Sequence, residues 1–367
     1  MKVLSVIGTR PEAIKMAPVI RELQRYPGRV MCKVCVTAQH RQMLDQVLQL
    51  FNIAPDYDLN VMGDNQTPTQ VAAAVLAQLE PILKTEQPDW VLVQGDTTTV
   101  AAACLAAFYA HVRVGHVEAG LRTHDKWQPF PEEINRKVAG AVADLHFAPT
   151  DTARQNLLCE GVDPANIHVT GNPVIDALLM ASGMPYDAAS GPLAGILWEK
   201  RIILVTAHRR ENFGRPLEQI CLALLDIAVR YSDDVHVVYP VHLNPNVQEP
   251  VYRLLGNTAN ITLLPPLDYL PLVHLMKRSY LVLTDSGGIQ EEAPALGKPV
   301  LVLREVTERP EAVEAGAARV VGTDRGRIVD GTRRLLDDPA EYGRMARAVN
   351  PYGDGRAAAR IVEALLQ

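Results

Sequence analysis

Six polar clusters in this sequence, five of which follow a short apolar run, carry side chains that suit anion binding and proton transfer. The first cluster runs from Gly8 to Lys15, opens a helical pattern and contains Arg10. Free N–H groups at a helix N-terminus, beside an arginine and a lysine, can hold an anion. The cluster lacks the glycines of a P-loop or of a dinucleotide fingerprint, so neither is predicted. A turn that carries two solvated cations explains it equally well.

Two further clusters place carboxylates at the ends of apolar runs. Asp96 lies in Gln94–Thr99, where either Asp96 or Thr97 can simply serve as the N-cap of the Ala-rich helix that follows. Glu118 lies in His116–Thr123 after another predicted strand. We predict that His116 and Glu118 share one face of that strand, because side chains two residues apart do so. An acid in a continuous apolar sheet costs free energy unless it has a role, so a functional role is favoured for Glu118.

The fourth cluster, Pro129–Arg136, is explained by local structure alone. Pro131 is predicted to begin a helix, and Glu132 and Glu133 suit the positive end of its dipole. Glu132 and Arg136 also have the i, i+4 spacing of an ion pair on the helix surface. From spacing alone, a structural role is favoured.

Two clusters lie in the second half of the chain. His208 stands beside two arginines after an apolar run, which suits phosphate oxygens. Thr284–Glu292 leads from an apolar strand through Ser286 and two glycines into a helix, so that N–H groups and a hydroxyl can wrap a diphosphate. Glu292, about one and a half helical turns further on, can reach a ribose diol. A turn before a helix explains the two glycines but not the polar residues around them, so a functional role is favoured for this cluster.

Short β-branched runs alternate with helical patterns, which predicts parallel sheets covered by helices on both faces. The alternation stops at residues 182–198, which are interpreted as a linker, and then restarts. We therefore predict an α/β protein with two doubly wound domains, over residues 1–175 and 176–353, and a helix at 354–367 that can complete the first domain. Ligands bind beyond the carboxyl ends of strands in such sheets, and the polar clusters follow those ends. The predicted strands are Lys2–Gly8, Met31–Thr37, Trp90–Gln94, Val112–Glu118, Leu145–Pro149, Ile167–Thr170, Arg201–Thr206, Val235–Tyr239, Ile261–Leu264, Tyr280–Thr284, Pro299–Leu303 and Arg319–Val321.

The composition excludes several classes of protein. Apolar residues make up 48% and charged residues 21% of the 367, which is typical of a globular protein rather than a disordered one. A net charge of −6 argues against a general nucleic-acid binder. Five cysteines indicate a reducing compartment, and the ten histidines form no recognisable metal site. No apolar run approaches the roughly 18 residues that span a bilayer, so a cytoplasmic protein without membrane insertion is expected.

Together the motifs closely resemble those of the non-hydrolysing UDP-N-acetylglucosamine 2-epimerases, in order from residue 8 to about 310. The resemblance implies the glycosyltransferase-B architecture, with two facing Rossmann-like domains. It also implies reversible conversion of UDP-GlcNAc to UDP-ManNAc by a homodimer without a cofactor, through elimination of UDP to 2-acetamidoglucal and re-addition. The motifs are Gly-Thr-Arg-Pro-Glu, Gln-Gly-Asp-Thr-Thr-Thr, His-Val-Glu-Ala-Gly-Leu-Arg-Thr, Pro-Glu-Glu-x-Asn-Arg, His-Arg-Arg-Glu-Asn and Asp-Ser-Gly-Gly-x-Gln-Glu-Glu.

The resemblance also implies roles for individual residues. The acids Asp96, Glu118 and Glu132 are expected around C2 of the sugar, and which of them removes the C2 proton is left open. Clustered carboxylates raise one another's pKa, so one acid of the cluster is expected to be protonated near neutral pH. The other expected contacts are Lys15 and Arg136 for charge compensation, Arg10, His208, Ser286, Gly287 and Gly288 for the diphosphate, Glu292 for the ribose, and Arg309 for the UDP region.

A second, activating site for UDP-GlcNAc occurs in many bacterial members and maps here onto Gln39, His40 and Gln42. An arginine usually precedes the Gln-Thr pair at 66–67, whereas this chain has Asn65. Loss of a bidentate cation weakens the binding of a diphosphate, which puts allosteric activation in doubt.

Three alternatives stay open from the sequence. A hydrolysing epimerase would release ManNAc and UDP from the same fold. A UDP-sugar glycosyltransferase would need an acceptor, and no motif identifies an acceptor site. A nucleotide-sugar-binding regulator would bind without exchanging the hydrogen at C2.

Overall fold

The computed structural model describes residues 1–37, 41–61, 63 and 66–367, with the backbone alone for residues 41 and 42. The chain forms two compact units. Unit 1 consists of Met1–Met180 together with the returning segment Tyr352–Gln367, and unit 2 consists of Ala181–Pro351. The division falls inside the helix Pro173–Ser182, and therefore after residue 175, where the sequence pattern placed it.

Unit 1 is a doubly wound α/β domain built on a sheet of seven parallel strands. Its strands are β1 (Lys2–Ile7), β2 (Met31–Val36), β3 (Tyr57–Asp58), β4 (Trp90–Gln94), β5 (Arg113–Val117), β6 (Leu145–Ala148) and β7 (Ile167–Val169). Its helices are α1 (Arg10–Leu23), α2 (Arg41–Leu50), α3 (Pro68–Glu86), α4 (Thr98–Tyr109), α5 (Glu132–Val142), α6 (Asp151–Cys159) and α7 (Pro173–Ser182). The strand order is β3-β2-β1-β4-β5-β6-β7, so the winding direction reverses between β1 and β4.

Unit 2 repeats this plan with a sheet of six parallel strands. Its strands are β8 (Arg201–Thr206), β9 (Val235–Pro240), β10 (Ile261–Leu264), β11 (Leu281–Thr284), β12 (Val300–Val302) and β13 (Ala318–Val320). Its helices are α8 (Arg215–Arg230), α9 (Pro245–Leu255), α10 (Tyr269–Arg278), α11 (Gly287–Ala295), α12 (Pro310–Glu314), α13 (Arg325–Asp337) and α14 (Pro339–Ala346). The order β10-β9-β8-β11-β12-β13 reverses between β8 and β11.

The returning segment ends in helix α15 (Ala357–Leu365), which packs against α1 in unit 1. Its buried residues Ala358, Ile361 and Leu365 recur at the three- to four-residue spacing of one helix face. The carboxylate of Asp176 accepts hydrogen bonds from the first two amides of α15, at 3.2 and 2.9 Å. This cap satisfies backbone donors that the helix itself leaves without partners.

The predicted fold class of two Rossmann-like doubly wound domains is confirmed, and every predicted strand is present. The strands form where β-branched and leucine residues run continuously, because both faces of each sheet are covered. Strand β3 was not predicted, since two residues are too few to show a pattern. Across the described ranges, no helix combines the length and apolar character that spanning a bilayer requires.

Candidate active site

The predicted site residues follow the strands at which each sheet reverses its winding. In unit 1, the segments after β1, β4 and β5 carry the first three polar clusters. In unit 2, the segments after β8 and β11 carry the last two. Such reversal points form the crevice in which open α/β sheets bind ligands. Each unit therefore presents one candidate ligand-binding site of its own.

Glu118 is the most heavily bonded acid of the candidate site in unit 1. The Nζ atom of Lys15 lies 2.6 Å and 2.7 Å from its two carboxylate oxygens. The amides of Asn172, at 2.9 Å, and of Gln94 also donate to it. A buried carboxylate with this set of partners is held in one orientation.

The backbone at Glu118 differs from the prediction. Strand β5 ends at Val117, and Glu118 follows it with φ of 63°. The prediction that His116 and Glu118 share one strand face is therefore wrong, because two-residue periodicity stops where the chain leaves the strand. A non-glycine residue in this left-handed region is uncommon and often lies at a functional site.

Asp96 is held by residues of helix α5. Arg136 donates to its Oδ2 through Nε at 2.9 Å and through Nη2 at 2.7 Å, and Asn135 donates to its main-chain carbonyl at 2.9 Å. The predicted i, i+4 ion pair of Arg136 with Glu132 is wrong, because its guanidinium bonds Asp96 and Glu133 instead. Of the two predicted N-cap candidates, Thr97 caps α4 and Asp96 does not.

Glu132 begins helix α5 and stands one turn before the two residues that hold Asp96. Residues three and four apart share a helix face, so Glu132 lies on the face of α5 that meets Asp96. Its Oε2 is buried and makes no hydrogen bond within the described residues. This oxygen is therefore free to accept a hydrogen bond from a ligand.

Glu12 is a site residue that the sequence analysis missed. Its side chain is buried, and its Oε2 accepts hydrogen bonds from the backbone N–H groups of Gly8 and Thr9. Burial raises its pKa from the ordinary value of 4.5 to about 7, although the Thr97 hydroxyl and the two amides oppose the rise. The charge of Asp96 adds to it. Glu12 is therefore an additional acid, and the expectation that one of Asp96, Glu118 and Glu132 is protonated near neutral pH stays a prediction.

His116 supports the turn that carries Asp96. Its Nε2 lies 2.7 Å from the carbonyl oxygen of Gly95, to which it donates. Burial lowers the pKa of the imidazole to about 4, so the ring is neutral at physiological pH. His116 is therefore a positioning residue for the Gly95 turn.

Asp285 organises the candidate site in unit 2. It is fully buried, and its Oδ2 accepts hydrogen bonds from the N–H groups of His208 and Arg209, each at 2.8 Å, and from the side chain of Asn212 at 3.0 Å. The imidazole of His208 stacks on that of His242 with 5.3 Å between ring centroids. Burial lowers the pKa of His208, while the charge of Asp285 opposes that shift. His208 is thereby presented as a neutral donor or acceptor.

The N-terminus of α11 provides the anion-binding geometry that the glycines predict. Ser286 caps the helix, and its own N–H donates to Thr284 Oγ1 at 2.9 Å. A side chain at Gly287 would come 3.9 Å from the guanidinium groups of Arg209 and Arg309. Two cations therefore flank free helix N–H groups, which is an arrangement suited to phosphate oxygens.

Glu292 and Arg309 are both fixed by neighbours in unit 2. Glu292 is buried, and its Oε1 accepts a hydrogen bond of 2.8 Å from the hydroxyl of Tyr269. Arg309 pairs with the buried carboxylate of Glu291, which the sequence analysis did not single out. Both side chains are thus held in position beside the start of α11.

The predicted diphosphate contacts are divided between the units. Arg10 is the first residue of α1 in unit 1, whereas His208, Ser286, Gly287 and Gly288 belong to unit 2. The predicted effector residues Gln39 and His40, the side chain of Gln42, and Asn65 lie outside the described residues. The activating site therefore stays a prediction.

Doubly wound domains with acids after the strands of one reversal point and a cation-flanked helix N-terminus at another are typical of α/β enzymes that act on phosphate-bearing ligands. The chain belongs to the UDP-N-acetylglucosamine 2-epimerase family, because the family model of that description matches residues 21–366. It is accordingly an isomerase, and the family predicted from the motifs is confirmed.

Individual relatives agree over the whole chain. The UDP-N-acetylglucosamine 2-epimerase of Escherichia coli (strain K12) is 58% identical, over 100% of this chain and 98% of that protein. The crystal structure of UDP-GlcNAc 2-epimerase from Neisseria meningitidis bound to UDP-GlcNAc is 49% identical, covers 100% of both chains and has a TM-score of 0.88. The UDP-GlcNAc 2-epimerase of Methanocaldococcus jannaschii is 33% identical, over 100% of this chain and 99% of that one, with a TM-score of 0.85.

Proposed function

We propose that this protein interconverts UDP-GlcNAc and UDP-ManNAc without hydrolysis, through 2-acetamidoglucal. In the first step the C1–O bond breaks, its electron pair leaves with UDP, and a base takes the proton from C2, so that a C1–C2 double bond forms. In the second step UDP bonds to C1 again, and an acid delivers a proton to the opposite face of C2. Atoms and electrons balance without an oxidant or a reductant.

The observation that carries this proposal is the oriented carboxylate cluster of unit 1. The hydrogen at C2 becomes acidic only as positive charge develops at C1, so the reaction needs a nearby base and a stabiliser of that charge. Glu118 is a base held in one orientation by Lys15 and Asn172, and Asp96 is an anion held by Arg136. These groups supply proton transfer and charge stabilisation without a metal or a nicotinamide.

The candidate site in unit 2 supports UDP as the leaving group. A departing diphosphate gains negative charge, and the start of α11 offers N–H groups flanked by Arg209 and Arg309. His208 is expected to bind the same oxygens, and Glu292 the ribose diol. The relative from Neisseria meningitidis was solved with UDP-GlcNAc bound, which supports the same substrate here.

The resemblance also carries two expectations about the molecule in the cell, a homodimer and a cytoplasmic location. Both stay predictions. Light scattering of the purified protein is expected to give twice the chain mass of 40.2 kDa.

Proton NMR of UDP-GlcNAc with the purified protein in D2O tests the reaction directly. We expect a mixture of the two epimers with deuterium at C2 and with UDP still attached. Accumulation of free ManNAc and UDP would replace this proposal by the hydrolysing reaction. An unchanged spectrum from folded protein that binds UDP would leave a binding protein instead.

Glu118→Gln tests the role of the best-held acid. The amide is nearly isosteric but cannot accept a proton, so turnover should fall at least about 100-fold while UDP affinity changes no more than a few-fold. Glu86→Gln is the matched control, because Glu86 also pairs with a lysine of unit 1, Lys2, at 3.0 Å but lies away from the acidic cluster. Loss of UDP binding together with turnover would indicate a structural role for Glu118.

A further inference from the structure

Glu133 is a fully buried carboxylate next to the predicted acid Glu132, with 0% of its surface exposed. Its Oε2 lies 3.1 Å from the N–H of Thr123 and 3.1 Å from Nη1 of Arg136. Its Oε1 lies 3.1 Å from the N–H of His124. A carboxylate at the surface of a first helical turn would need none of these partners, so its burial calls for an explanation beyond the helix dipole.

The first consequence of these contacts concerns Arg136. Its Nη1 is bonded to Glu133, whereas Nε and Nη2 are bonded to Asp96 at 2.9 Å and 2.7 Å. A guanidinium is a rigid planar fork, so anchoring one nitrogen orients the other two. Glu133 therefore fixes the plane in which Arg136 meets Asp96.

The second consequence concerns the segment that leads into helix α5. His124 has φ of 64°, which a non-glycine residue adopts only when its surroundings hold it there. Its N–H is held by Glu133. Further along, Trp127 and Phe130 stack with ring centroids 5.8 Å apart, although 64% and 62% of these residues are exposed. Glu133 thus anchors the beginning of the segment that ends at Glu132.

We propose that Glu133 is a positioning residue for the epimerase reaction, which orients Arg136 against Asp96 and fixes the segment before Glu132. The inference rests on the proposed function, because it concerns the same acids. The proposal includes no contact between Glu133 and the sugar. It acts through groups that make that contact, so its loss should slow turnover without weakening ground-state binding.

Steady-state kinetics of Glu133→Gln tests the assignment. The NH2 group of the glutamine cannot accept the hydrogen bonds that the carboxylate accepts from Thr123, His124 and Arg136. Arg136 and the segment before Glu132 should therefore shift. Displacement of a catalytic group by about 1 Å costs on the order of 100-fold. We expect kcat to fall 10- to 100-fold and KM for UDP-GlcNAc to stay within three-fold. The matched control is Glu22→Gln, since Glu22, in the last turn of α1, forms an i, i+3 ion pair of the same polarity with Arg25 just after the helix. Its kcat should equal that of the unaltered protein.

A double-mutant cycle with Arg136→Met separates positioning from general stability. Because Arg136→Met already removes the route through Arg136 and leaves only the route through the segment, adding Glu133→Gln to Arg136→Met should lower kcat by clearly less than Glu133→Gln lowers it in the unaltered protein. Losses that multiply would overturn the proposal, and so would an equal kcat in Glu133→Gln and the unaltered protein.

If Glu133→Gln unfolds at the assay temperature, Glu133→Asp keeps the charge on a shorter side chain. It should still lose at least three-fold in kcat, and an unchanged kcat would overturn the proposal. An inactive unaltered protein would instead refute the proposed function.

Discussion

Replacing Glu12 by glutamine tests how the acidic end of unit 1 is stabilised. Burial raises the pKa of Glu12 from 4.5 to about 7, so the folded protein keeps a proton there at pH values where the unfolded chain has released it. The stability contributed by this proton is fully present below pH 4.5 and is lost as the pH rises through 7. Unfolding free energy should therefore fall between these pH values.

The size of the effect follows from the two pKa values. The difference between 4.5 and about 7 corresponds to about 3 kcal/mol of unfolding free energy. About 2 to 3 kcal/mol of this is lost between pH 5 and pH 8, where most of the titration of the folded state takes place. The Glu12→Gln variant carries a neutral amide at every pH. Between pH 5 and pH 8, the unfolding free energy of the variant should therefore fall by about 2 to 3 kcal/mol less than that of the unaltered protein.

Urea unfolding followed by tryptophan fluorescence measures this difference. The three tryptophans are Trp90, Trp127 and Trp198, and only the last belongs to unit 2. On a Trp198→Phe background the fluorescence therefore reports unit 1 alone. Glu22→Gln, on the same helix, is the control, and its unfolding free energy should depend on pH in the same way as that of its background. Parallel pH curves for Glu12→Gln and its background would refute the reasoning, since Glu12 would then titrate alike in both states.

Two further predictions concern unit 2. Asp285→Asn removes the charge that opposes the effect of burial on His208, so the pKa of His208 should fall further, and an upward shift in its NMR titration would contradict this. Tyr269→Phe removes the 2.8 Å hydrogen bond to Glu292, which at about 1 kcal/mol should weaken UDP binding about five-fold in calorimetry. Binding of 2′,3′-dideoxy-UDP should then be unaffected, and an equal loss for both nucleotides would argue against Glu292 as the ribose ligand.

The sequence predicted the sheets well because their strands are buried on both faces. A continuous apolar run such as that of β8 (Arg201–Thr206) indicates a buried strand when it stands between helical segments. The positions of the polar clusters followed from the same pattern, since parallel strands place their carboxyl ends at one edge. The motifs then identified the family, which spacing alone did not.

Contacts between distant residues could not be predicted from local patterns. Arg136 was expected to pair with Glu132 four residues away, but it bonds Asp96, forty positions earlier in the chain. Glu12 and Glu133 each satisfied a local rule for the first turn of a helix, so neither stood out. What distinguishes them is burial among backbone N–H groups, which depends on tertiary packing. The left-handed backbone at Glu118 is likewise fixed by its surroundings rather than by its residue type.

The returning segment determines when the acidic half of the enzyme can be finished during synthesis. The carbonyl oxygen of Tyr352 accepts a 2.7 Å hydrogen bond from the N–H of Asn172, whose side chain donates to Glu118. Unit 2 lies entirely between these two partners in the chain. A ribosome must therefore translate the whole of unit 2 before Asn172 acquires its anchor. A nascent chain that is released before Tyr352 is translated carries every acid of the cluster in unit 1 and yet lacks the support that orients one of them.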